Sequence, residues 1–152
     1  MRVYFSIDLE AAGGESREHL LAVTQFLESR GHEVLRAPYV LADNPDAYLR
    51  DTFGIAPDDF KSQLELHYEW VDSSDLVLAD MSQKSEGRAM IIQRALDKPS
   101  LGLVRTPILL IQSKQFKRSF GRIVRGLIAS QQVNFYEYDD LENLFSWLKK
   151  YC

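Results

Sequence analysis

The run Leu76-Val77-Leu78-Ala79 is apolar at every position, set between Ser73-Ser74 and the polar turn that begins at Asp80. A strand with no polar alternation is buried on both faces, and such strands belong to parallel sheets covered by helices on both sides. The neighbouring segments fit that constraint. Val3, Phe5 and Ile7 alternate as a first strand, and Leu20, Val23, Phe26 and Leu27 recur at helical spacing until Arg30-Gly31. Glu33 to Leu35 forms a short second strand. From Ala37-Pro38 to Pro57 the chain is rich in Pro, Asp, Asn and Gly, which predicts a long loop with at most a helical turn, of a length that often carries function. A helix over Asp58 to Val71, with Phe60, Leu64, Tyr68 and Val71 as its apolar positions, leads into the third strand.

Beyond that strand, Ser85 opens a helix running to about Leu96, Pro107 to Ile111 reads as a fourth strand, and a helix follows over 116–129. Val133 to Tyr136 is a fifth short strand. Asp139-Asp140 with Glu142 forms an N-cap with a reciprocal acid, ahead of Leu141, Leu144, Phe145 and Leu148 on one helical face. Five alternations of strand and helix predict one α/β domain over residues 1–152. Its expected core is a five-stranded parallel sheet of flavodoxin-like or Rossmann-like order, with helices on both faces.

Composition excludes several function classes. With 45% hydrophobic and 26% charged residues the chain is neither disordered nor of a membrane class. A net charge of −4 argues against a nucleic-acid surface. Residues 113–125 are a local exception: Lys114, Lys117, Arg118, Arg122 and Arg125 stand there with no acid between them. A solvated helix face is the simpler account of that run and an anion-binding patch the alternative. The opening MRVYFSI is too short for a signal peptide, so a cytoplasmic location is expected. Cys152 is the single cysteine, and His19, His32 and His67 show no ligand spacing, so no metal site is expected. Gly-x-Gly-x-x-Gly, Walker and His-Glu-x-x-His signatures are all absent, and no cofactor is expected.

Ligands of open parallel sheets bind outside the carboxyl ends of the strands. That rule selects Ser6-Ile7-Asp8 with Gly13-Gly14, the turn from Asp80 to Gly87, and the turn from Gln112 to Lys117. At the start of the helix after strand three, Ser85 and Gly87 could hold a phosphate or a sugar hydroxyl on free backbone N–H groups, although plain capping by Ser85, with Glu86 in the first turn, is the simpler account. His67 stands on the helix before strand three and is a further candidate.

Several of these segments together resemble a known family. Glu69-Trp70, the run Ser74-Asp75-Leu76-Val77-Leu78-Ala79-Asp80-Met81-Ser82 and Ser85-x-Gly87 are similar to motifs of the nucleoside 2-deoxyribosyltransferases and the related 2′-deoxynucleoside 5′-monophosphate N-glycosidases. Val3-Tyr4-Phe5-Ser6-Ile7 resembles the first strand of that family, Gly31-His32-Glu33-Val34-Leu35 its second, and Arg122 to Gly126 with Tyr136-x-Tyr138-Asp139-Asp140-Leu141 its closing segments. The matches run in the same order over nearly the whole chain.

The resemblance implies a helix beginning Ser-x-Gly-x-Gly-x-Glu, whose glutamate attacks the anomeric carbon and traps an oxocarbenium-like transition state. Counted from Ser85, the second glycine falls on Ala89, a tyrosine-type position on Met90, and the glutamate on Ile91. A family aspartate falls on His67, and the arginine of the phosphate-binding turn on Asp8. Isoleucine can neither attack carbon nor carry charge. The expectation is therefore a deoxyribosyltransferase-like protein without the standard catalysis, which binds a nucleoside or nucleotide or serves as a partner subunit. The alternative is an active N-glycosidase or transferase acting through a relocated acid such as Glu86. Tyr4, Ser6, Asp8, His67, Asp80, Ser85 and Gly87 are the expected ligand-binding residues. The resemblance also implies oligomers, a homodimer or a hetero-oligomer with an active homologue, to which Tyr48, Phe53 or Tyr68 could contribute, with core burial the simpler assignment for Tyr68. No membrane or nucleic-acid partner is expected.

Overall fold

Five parallel strands form the centre of the protein in a computed structural model that describes residues 1–7, 14–82, 85–116 and 120–152, without the side chains of residues 14–17, 86 and 116. They are β1 (Arg2–Ser6), β2 (Glu33–Val34), β3 (Leu76–Asp80), β4 (Ile108–Ser113) and β5 (Asn134–Tyr138), in the spatial order β2-β1-β3-β4-β5. Val3 lies opposite Leu76, Asp80 opposite Ile111 and Ser113 opposite Tyr138. The α-helices among the described residues are α1 (Gly14–Ser29), α2 (Ala37–Leu41), α3 (Pro45–Phe53), α4 (Phe60–Asp72), α5 (Glu86–Asp97), α6 (Arg122–Ala129) and α7 (Leu141–Leu148). This is the five-stranded α/β architecture expected from the alternation, in flavodoxin-like order.

Every residue of β3 and β4 is buried, as the unbroken apolar runs require. Alternate side chains enter two cores. Val3, Phe5, Leu76 and Leu78 pack with Leu20, Val23 and Leu27 of α1 and with Leu144 and Leu148 of α7. On the opposite face Tyr4, Val77 and Ala79 pack with Leu66, Trp70 and Val71 of α4 and with Ile91, Ile92 and Ala95 of α5. Each fully buried leucine or valine contributes roughly 1.5–3 kcal/mol from removal of its side chain from water.

The segment expected as a long loop instead folds into α2 and α3. Its punctuating residues start and stop helices. Pro38 and Pro45 occupy first-turn positions, where the missing N–H costs nothing. Asn44 caps α3 by accepting the Ala47 N–H at 3.0 Å, and Gly54, at φ 69°, closes it in the left-handed conformation that disfavours other residues.

The buried stripe of α4 is also shifted from the expected one. Phe60 is 75% exposed and Leu64 37%, whereas Leu66, Trp70 and Val71 face the sheet. Leu66 and Trp70 are themselves four residues apart, so the sequence carries two overlapping helical stripes and packing selects one. Helix α6 begins at Arg122, later than the expected 116, and none of its residues is fully buried.

A buried ammonium joins α4 to the chain that enters β4. Lys98, 2% exposed, donates from Nζ to the Val71 carbonyl at 3.2 Å, to the Ser74 carbonyl at 2.9 Å and to the Thr106 hydroxyl. Beside it Arg94 grips Asp72 with two parallel hydrogen bonds of 2.9 and 2.5 Å. Hydrogen bonds to charged groups are among the stronger in proteins, so Lys98→Met is expected to lower unfolding free energy by about 2 kcal/mol. Urea denaturation measures it, and an unchanged midpoint would remove Lys98 from the account of the fold.

Candidate functional site

Because β2 and β3 lie on opposite sides of β1, the connections leaving the carboxyl ends of β1 and β3 diverge and open a crevice between them. A cavity of about 130 Å³ occupies that crevice. The end of β1 contributes Tyr4, Ser6 and Ile7, and the residue after Leu35 contributes Arg36. Helix α4 contributes Leu64 and His67, one turn apart, and the start of α5 contributes Ser85, Gly87, Arg88, Met90 and Ile91. Tyr4 and Ser6 reach the cavity because strand alternation turns them toward α4 and α5 while Val3 and Phe5 face α1. On α5, Ile91 follows Gly87 by four residues and Arg88 by three, which places these residues on neighbouring faces of one helix.

The electrostatics of the lining are one-sided. Tyr4 Oη and His67 Nδ1 share a hydrogen bond of 2.9 Å. Burial pushes the Tyr4 phenol up to about 12, against the opposing pull of the Arg36 charge. Burial first, and then the Arg36 charge, push His67 down to about 4, so this imidazole is neutral at pH 7. Arg36 Nη1 donates to the Ile7 carbonyl at 2.7 Å, and its Nε is buried with no hydrogen-bond partner among the described residues. Arg88 is 3% exposed. No lining residue among those described is a carboxylate. Ser85 caps α5, its hydroxyl accepting the Arg88 N–H at 3.4 Å. Ile91, 6% exposed, belongs to the core beneath α5 as well as to the cavity wall.

The cavity thus brings together Tyr4, Ser6, His67, Ser85 and Gly87 of the expected binding residues, with Ile91 in its wall. Asp80 stands outside it. Its carboxylate turns to the α1 side of the sheet, accepts the Ser82 N–H at 2.8 Å and lies 3.8 Å from His19 Nε2, and His19 in turn hydrogen-bonds and stacks on Tyr138. Asp8 lies outside the described residues, as does the side chain of Glu86, the first residue of α5. Lys114 does not line the cavity: it pairs with Asp139 at 2.8 Å. Lys117 and Arg118 lie outside the described residues. Tyr68 is half-buried under the Arg94 guanidinium, and Phe53, 40% exposed, packs edge-on against Trp70.

Sequence reasoning missed Arg36 and Arg88. Neither stands in a motif; they reach the cavity because β2 ends at the same sheet edge as β1 and Arg88 stands three residues after the N-cap of α5. Among the described residues, no cluster of three or more His, Cys, Asp and Glu is placed to hold a metal ion, and no helix is long and apolar enough to cross a membrane.

Among solved structures, the CMP N-glycosidase BcmB of Clostridium botulinum is similar, with a TM-score of 0.65 at 19% identity over 98% of this chain and 99% of that one. No family model and no curated protein matches the chain. The structural likeness shows that this chain shares that protein's α/β fold over nearly its whole length.

His67 makes this region sensitive to acid. Its pKa falls from 6.5 to about 4 on folding, so between those values the unfolded chain binds more protons than the folded one. The stabilisation is complete above about pH 6.5 and is lost as the pH falls toward 4, a change on the order of 3 kcal/mol. His19 and His32 are lowered as well and act in the same direction. Comparing urea unfolding of wild type and His67→Gln from pH 4 to 7 isolates the His67 share. The variant is expected to show the shallower dependence, and parallel curves would contradict the assignment.

Proposed function

We propose that this protein binds a nucleoside or nucleotide in the crevice between β1 and β3 and does not cleave it by the glutamate mechanism. The observation that carries the reading is the wall of the cavity at the start of α5. Ser85 and Gly87 present a helix N-terminus there, while hydrocarbon from Ile91 stands where the family resemblance implies an attacking carboxylate. The fold shared with a CMP N-glycosidase supports a nucleotide-type ligand, and the location at the switch in strand order supports this crevice as its site. Ile7, Leu64, Met90 and Ile91 supply apolar surface for a base or sugar face, and Ser6, Arg36, His67 and Arg88 supply polar groups.

At about 130 Å³ the cavity is smaller than sites that enclose a whole drug-sized ligand, so it takes one end of a nucleotide. The remainder lies over the mouth, where Met90 is 45% exposed. The described lining residues favour binding. A neutral histidine and a phenol held in its protonated form supply no anionic nucleophile for an anomeric carbon.

Two measurements on the same sample test the proposal. Ligand at one hundred times its dissociation constant stabilises the folded state by about 2.7 kcal/mol, so CMP or 2′-deoxycytidine 5′-monophosphate is expected to raise the melting temperature by roughly 5–10 °C. Chromatography of the same mixture is expected to recover the nucleotide whole, with no free cytosine. Release of cytosine by the wild type, abolished in Glu86→Gln, would replace the binding reading with that of a relocated catalytic acid.

A further inference from the structure

A second cavity, of about 230 Å³, lies at the amino ends of the strands, the opposite end of the sheet from the β1–β3 crevice. Ala95 and Leu96 near the end of α5 line it, together with Thr106 and Ile108 at the entry to β4 and the exposed Arg105 and Gln132. We propose that this cavity binds a small carboxylic acid with an apolar body, its carboxylate held by Arg105 and Thr106 and its body lying on Ala95, Leu96 and Ile108. The site stands whether or not the crevice takes a nucleotide, because the two cavities share no described lining residue.

The floor of the cavity selects the body of the ligand. Ala95 and Ile108 are buried in the core between α5 and the sheet, and Leu96 packs against the same core. Covering such a floor removes apolar surface from water at about 25 cal/mol per Å². The volume is below that of sites that enclose drug-sized ligands, which limits the occupant to a single ring or a short alkyl chain.

Charge selects the head group. Arg105 makes no hydrogen bond or ion pair among the described residues, and no described lining residue is a carboxylate. The two acids whose charges reach Lys98 behind this wall are already engaged: Asp72 is gripped by Arg94, and Asp75 accepts the Arg2 N–H at 2.7 Å. A guanidinium presents a planar fork of donors that matches the two oxygens of a carboxylate.

The buried hydroxyl in the wall supplies a second donor. Thr106, 4% exposed, accepts from Lys98 Nζ and gives its own proton to the Ser74 carbonyl at 3.1 Å. That carbonyl also accepts from Lys98 Nζ at 2.9 Å. The hydroxyl can therefore turn to a ligand oxygen without leaving the Ser74 carbonyl unsatisfied. Donation from the ammonium to the hydroxyl oxygen polarises its O–H and strengthens the bond it gives.

Benzoate, benzyl alcohol and benzamidine carry the same ring with negative, neutral and positive heads, and titrating each into the isotopically labelled full chain while following amide chemical shifts tests the site. Benzoate is expected to move the amides of Ala95, Ile108 and Gln132 while leaving those of Gly87 and Met90 in place, and to bind about tenfold tighter than benzyl alcohol through its charge-assisted bonds. Benzamidine is expected to leave all of these amides unmoved. Arg105→Gln, at an exposed position, is expected to bring the benzoate-to-alcohol ratio below about threefold. Gln132→Glu places a repelling acid at another exposed position of the lining and is expected to lower the same ratio even if the arginine variant fails to fold. Equal binding of benzoate and benzyl alcohol, tighter binding of benzamidine, or a ratio that survives both substitutions would overturn the carboxylate site. Benzoate shifts centred on Gly87 and Met90, or no shifts at all, would overturn it as well, and either result leaves the nucleotide reading of the crevice to its own test.

Discussion

The position of β1 between β2 and β3 is the constraint on which the rest of this structure depends. The sheet grows from β1 in one direction to make β2 and then in the other to make β3. Right-handed crossovers consequently lay α1 on one face and α4 on the other. The two helical layers bury β3 and β4 completely, and their divergence above the strand ends leaves a gap at the β1–β3 boundary. Side chains from the ends of β1 and β2 and from the starts of the following segments converge there because the topology offers them no other common space.

Within that gap the same residues serve the core and the cavity. Ile91 packs beneath α5 with Ile92 and Ala95 and also forms part of the cavity wall, so its apolar character stabilises the helix against the sheet. A carboxylate in its place would sit at a position only 6% exposed and would need a partner to offset its desolvation. Tyr4 likewise belongs both to the core and to the lining, and its hydrogen bond to His67 ties the strand to α4 at the cavity floor. What the described lining provides is the side chains of Arg36 and Arg88 beside hydrocarbon from Ile91.

Much of the fold was legible because strand burial writes itself into composition. Leu76 to Ala79 could only be an interior parallel strand, and the alternation around it led to the observed sheet. The segment 37–57 was misread because Pro and Asn interrupt and initiate helices with equal ease, and which they do depends on the residues packed beyond them. Leu49 is buried in the same core as Leu66 and Trp70, and nothing local announces that burial. On α4 two apolar stripes overlapped, and only contact with β3 and α5 distinguishes Leu66 and Trp70 from Phe60 and Leu64. The site followed a similar division. Residues carried by motif, Ser6, Ser85, Gly87 and the Ile91 position, line one cavity. Asp80 does not, because strand alternation sends it to the opposite face with Leu76 and Leu78. Arg36 and Arg88 had no motif to mark them and emerge only when three separate segments are brought to one edge.

The central claim, that this crevice holds a nucleotide without breaking its glycosidic bond, is tested most directly by a crystal structure of the protein soaked with 2′-deoxycytidine 5′-monophosphate. The account predicts an unbroken nucleotide between the ends of β1 and β3, with one end enclosed beside Ile91 and Arg88. Free cytosine with a separated sugar phosphate in that crevice, or the nucleotide bound elsewhere with the crevice empty, would contradict it.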